Sequence, residues 1–95
     1  MAIRVHELKI AKDYADTVYL GDKTFEVREN DRGFQKGDIV RFIPLNRLGV
    51  EDIVHPLYDK EYEITYVLGS FYGLAQGYVA FGIKPMPERS ESDGD

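Results

Sequence analysis

The sequence predicts an α+β domain that is mainly β: a small barrel of five to six strands with one helix plugging an end. Three observations carry that expectation. A chain of 95 residues has room for one hydrophobic core and no second. Seven Tyr and five Phe sit within a 43% hydrophobic composition, and aromatic side chains favour pleated, half-buried positions. Short stretches that alternate apolar with polar residues, punctuated by Gly, Pro, Asn and Asp, recur along the chain and give way once to a helical spacing.

Residues 3–10 read as the opening strand, with Ile3 and Val5 alternating against Arg4 and His6 before Leu8 and Ile10 break the phase, as a bulge or strand end would explain. From Ala11 to Leu20 the period changes. Ala11, Tyr14, Ala15, Val18 and Tyr19 fall three and four apart, on one face of a helix, and Gly21 stands where a left-handed cap is wanted. Residues 24–28 form a two-faced strand, with Phe25 and Val27 on one side and Thr24, Glu26 and Arg28 on the other. The cluster at residues 29–33 reads as a turn, and Gly37-Asp38 launches an apolar-rich strand over residues 39–43. Residues 44–56 are a longer connection. Residues 62–68 alternate as a strand, residues 69–77 are a glycine-rich aromatic loop, and residues 78–83 are the last strand, stopped by Pro85 and Pro87.

Composition excludes several classes. With no Cys, neither a disulfide framework nor a thiolate metal site can form. No apolar run reaches the ~18 residues of a membrane span, and the N-terminal residues lack the apolar core of a signal peptide, so a cytoplasmic protein with no membrane partner is expected. The net charge of −5 argues against gripping nucleic acid over the whole surface. Glu88, Glu91, Asp93 and Asp95 against Arg89 give the tail a net of −3, which leaves the body at −2. The expected organisation is therefore one barrel domain over residues 1–87 and a disordered acidic tail over residues 88–95.

The main signal is Gly21-Asp22-Lys23-Thr24-Phe25-Glu26-Val27-Arg28, followed by Asn30-Asp31-Arg32, Phe34 and Gly37-Asp38. A helix end delivers the chain through Gly21 into a strand whose polar face carries Thr24, Glu26 and Arg28, with Lys23 at its entrance. A carboxylate flanked by an ammonium and a guanidinium can hold and orient a polar ligand. The same pattern also describes a solvated strand face with ordinary ion pairs, each worth little.

Read together, His6-Glu7-Leu8-Lys9-Ile10, the Gly21-x-Lys23-Thr24-Phe25-Glu26-Val27-Arg28 segment, Asn30-Asp31-Arg32, Phe34 and Gly37-Asp38 resemble the ASCH domains, and more closely a small bacterial and phage subgroup of unknown function. The segments Tyr66-Val67-Leu68-Gly69 and Leu74-x-x-Gly77-Tyr78-Val79 extend the resemblance over roughly residues 5–84. It implies a PUA-like β-barrel with a cleft beside the helix, lined by the motif, and an RNA-binding role. One group of ASCH relatives hydrolyses an acylated cytidine with a Lys and a Thr on this strand and a Glu elsewhere. Lys23 falls at the Lys position, whereas the Thr position is occupied by Glu26, with Thr24 directly after the Lys. A carboxylate cannot serve as a hydroxyl nucleophile. Other relatives have been associated with RNA cleavage.

His6 and His55 are the only histidines, without a close ligand spacing, so no metal and no cofactor are expected. His6 is a candidate ligand donor or proton carrier on the first strand, or a hydrogen-bonded structural residue; His55, beside Pro56, reads as surface. Arg32 joins the basic set near the motif, and Phe71 and Tyr72 in the glycine loop are candidates to stack on a base as a lid. Phosphate-loop, dinucleotide and serine-hydrolase motifs are missing. The leading expectation is a module that binds RNA or a nucleoside- or nucleotide-like ligand through Lys23, Thr24, Glu26, Arg28, Arg32, His6, Phe71 and Tyr72. The rivals are an amidohydrolase or ribonuclease with Lys23 and Glu26 as catalytic candidates, and a module that binds a protein partner through the same surface.

Overall fold

A computed structural model describes residues 3–70 and 73–87; the expected acidic tail lies outside these residues. The elements run β1 (Val5–Ile10), α1 (Lys12–Tyr19), β2 (Phe25–Glu29), β3 (Ile39–Pro44), β4 (Glu61–Leu68) and β5 (Tyr78–Pro85). The strands form one sheet in the order β1-β3-β4-β5-β2. β1 pairs in parallel with β3, and the other neighbours are antiparallel. The sheet curls into a half-barrel whose edges are β1 and β2. No helix among the described residues is long and apolar enough to cross a membrane.

The core gathers Leu8 and Ile10 of β1, Ala15 and Val18 of α1, Val40 and Phe42 of β3, Tyr62 and Ile64 of β4, and Val79, Phe81 and Ile83 of β5. Phe34 and Leu57, from the connections, complete it. The phase of β1 differs from the expectation. Its inward residues are His6, Leu8 and Ile10 in unbroken alternation, whereas Ile3 and Val5 are exposed and no bulge occurs. His6 takes an inward position because a carboxylate waits there for it, as described below.

The irregularity lies in β4. Ile64 pairs with Ile83 and Tyr66 with Gly82, so Thr65 is an extra residue on β4. Such a bulge bends its strand and increases the local twist, which helps the sheet curl. It also flips the alternation, turning Tyr66 outward and Val67 towards the core.

α1 ends in a Schellman motif. The Gly21 N–H donates to Val18 O at 3.0 Å and the Asp22 N–H to Thr17 O at 3.0 Å, with Gly21 at φ +85°. That φ strains any residue carrying a Cβ, so glycine is required where the chain reverses from helix to β2. Of the expected helical face only Ala15 and Val18 are buried; Tyr14 and Tyr19 remain exposed.

His55 corrects the reading of the long connection. Its side chain is almost fully buried: Nδ1 accepts the Leu57 N–H at 3.0 Å, and Nε2 lies 2.7 Å from Asp16 Oδ1 on α1. An acceptor Nδ1 places the proton on Nε2, facing the carboxylate. Asp16 is held below the usual carboxylate range by its hydrogen bond from Lys12 and then by that from His55. The histidine thus ties the 45–60 connection to the helix.

Candidate functional site

β2 is built inside out. Phe25 and Val27 are 50% and 46% exposed, while Glu26 between them is only 4% exposed. β2 adds nothing apolar to the core. Burying a carboxylate is costly unless it is paired and hydrogen-bonded, and Glu26 is paired twice. Its Oε2 accepts from Lys23 Nζ, and its Oε1 accepts from Arg28 Nε at 2.9 Å. Local sequence makes this arrangement. The Schellman turn sets Lys23 ahead of the strand, and the two-residue period puts Arg28 on the same face as Glu26.

Each cation has a second tie. Lys23 Nζ donates to Phe25 O at 2.9 Å, and Arg28 Nη2 reaches across to Lys9 O on β1 at 3.0 Å. Further along the same seam, Arg32 Nη1 donates to Glu7 O at 2.7 Å. The seam along β1 is therefore bridged by guanidinium groups, Arg28 from β2 and Arg32 from the bend after it, where a closed barrel would have a backbone ladder.

Beside the triad lies a hollow of about 540 Å³, between the start of α1, the end of β1 and β2. Its charged lining is Lys9, Lys23 and Arg28 against Glu26, so it is net cationic within a chain of net charge −5. The Lys23 ammonium sits 5.5 Å from the Tyr14 ring centroid and 5.2 Å from that of Phe25. Both rings line the hollow and are about half exposed.

Lys23, Glu26 and Arg28 are thus brought together, and the other expected site residues are not. Thr24 precedes β2, is exposed and does not line the hollow; its carbonyl ties it to β5 by accepting the Ile83 N–H at 3.0 Å. Arg32 holds the seam and does not line the hollow. His6 is buried, with Nε2 2.8 Å from Asp38 Oδ2 and its ring 4.7 Å from Phe34, which makes it a structural partner of the turn before β3. Burial raises the Asp38 pKa, but hydrogen bonds from His6 and the Gln35 N–H, with the charges of His6 and Arg4, outweigh it and hold the carboxyl below the usual range. Phe71 and Tyr72 lie outside the described residues.

Lys9, Tyr14 and Phe25 were not among the expected site residues. Lys9 and Tyr14 reach the hollow because β1 and α1 meet there, and neither carries a local signal. Phe25 had one: an apolar residue inside a motif otherwise rich in charge.

A larger hollow of about 1020 Å³ is lined by Tyr19, Tyr58, Tyr62, Arg41 and Met86 among others, and shares no residue with the first. Its guanidinium already faces Glu7, Asp59 and Glu61, so Arg41 offers little to an anion. The motif hollow is the better-equipped site despite its smaller volume.

These features define a small curled-sheet domain whose open seam holds an ion-paired, aromatic-flanked cleft. The chain belongs to the family described as domain of unknown function DUF3850, whose model matches residues 5–83. That span includes every residue of the hollow. No curated protein matches the chain.

Proposed function

We propose that the hollow binds a nucleotide, either free or as an exposed nucleotide of an RNA strand. The observation that carries this reading is the concentration of three cations and one carboxylate beside two half-exposed rings, in a chain that is acidic overall. Lys9, Lys23 and Arg28 supply donors and charge for the phosphate and carbonyl oxygens of a nucleotide, and Tyr14 and Phe25 supply faces for its base. The resemblance of the motif to ASCH domains of the PUA-like class supports the same reading. The small size of the cationic patch favours one nucleotide over a long phosphate track.

Catalysis has less support. Lys23 and Glu26, the candidate base and acid, are each other's partner. The test is a backbone-amide NMR titration with short single-stranded RNA and with nucleoside monophosphates. Amides of residues 23–28 and of Tyr14 should shift on addition, and Lys23→Ala should weaken binding at least tenfold. If neither RNA nor nucleotides move these amides, the reading falls and a protein partner takes its place.

A further inference from the structure

We infer that the hollow selects an imide-edged base, that of a uridine- or thymidine-type nucleotide; the inference rests on the nucleotide reading above. The triad is an ordered array. Ammonium, carboxylate and guanidinium follow one another as donor, acceptor and donor, because Glu26 gives one oxygen to Lys23 and the other to Arg28.

Each member has capacity left. Lys23 has three N–H groups and uses two, on Phe25 O and Glu26; Arg28 has five and uses two, on Glu26 and Lys9 O. Each Glu26 oxygen accepts one of these bonds, leaving a lone pair on each.

The complement of donor–acceptor–donor is acceptor–donor–acceptor. Uracil and thymine present that order along one edge, as O2, N3–H and O4. The N3–H would donate to Glu26 and the two carbonyls would accept from Lys23 and Arg28, while Tyr14 and Phe25 border the ring. Cytosine opposes the array twice: its N3 lone pair meets the carboxylate, and its amino group meets a cation. Guanine places a second donor where the array offers a cation, and adenine lacks the central donor. Buried polar groups left facing like groups cost more than a missing contact, so discrimination should exceed tenfold.

The test is calorimetric titration of the full chain with UMP, CMP, GMP and AMP, and with UMP methylated at N3. UMP should bind at least tenfold more tightly than CMP, and N3-methylation should abolish that advantage. The methylated ligand probes the central hydrogen bond without altering the protein, so a folding defect cannot mimic the result. Equal affinity for all four nucleotides, or undiminished binding of the methylated one, would overturn the imide assignment while leaving nucleotide binding in place. Absence of binding by every nucleotide would overturn the imide assignment, and if short RNA also leaves the amides of residues 23–28 unmoved, the nucleotide reading falls with it.

Discussion

Glu26 is the residue on which the site turns, because among the described residues its carboxylate is the only acidic group of the hollow, and it is held from both sides. Breaking a buried ion pair from one side leaves a charge without compensation, whereas replacing the whole set with apolar residues is often neutral. Arg28→Ala should therefore destabilise the domain by roughly 3 kcal/mol, read as a lowered urea midpoint at unchanged slope. The triple substitution Lys23→Met, Glu26→Leu, Arg28→Met should recover most of that stability and bind no nucleotide. If the triple variant is less stable than Arg28→Ala, the triad is needed for the fold itself and its retention says little about a ligand.

At the scale of the element, the sequence made every strand and the helix recognisable, and the misreadings share one cause. Alternation marks two faces without saying which is buried. In β1 the apolar Ile3 and Val5 suggested the inward phase, yet His6 is inward because Asp38, 32 residues away, satisfies it. In β2 the local motif named Lys23, Glu26 and Arg28 correctly. Burial of their face could not be read there, because it depends on how β5 and the seam place the strand. His55 passed as surface for the same reason, its partner Asp16 being 39 residues distant. The β4 bulge was equally hidden, since nothing near Thr65 marks an extra residue. It does leave a trace on β5: a Cβ at Gly82 would lie 2.6 Å from Thr65 Oγ1. Gly82→Ala should cost about 1–3 kcal/mol by overpacking. Thr65→Ala should relieve most of that in a double-mutant cycle measured by urea unfolding. Purely additive losses would place the strain elsewhere.

At the scale of the whole molecule, acid stability follows from its carboxylates. Asp38 and Asp16 both have folded pKa values below the ordinary 3.8. A depressed carboxylate stabilises the folded state fully above the unfolded value and loses that contribution as pH falls through the folded one. Asp38's share should thus persist at neutral pH and disappear as pH drops below 3.8 towards its lowered folded value. Urea midpoints measured across that range should fall steeply for the parent chain. They should fall less steeply for Asp38→Asn, which starts from lower stability at neutral pH. Parallel curves for the two proteins would show that the buried His6–Asp38 pair does not govern the acid limb.

The pairing of β2 has one more consequence, for the order in which the working protein comes into being. Among the described residues β2 finds its backbone ladder in β5 alone, with Phe25 opposite Gly82. During synthesis the motif leaves the ribosome early, ahead of the three central strands, yet it has no neighbour to lie against until the final strand has emerged. The cleft is therefore the last feature this domain acquires, and a nascent chain stalled before Tyr78 would carry the whole motif and no cleft.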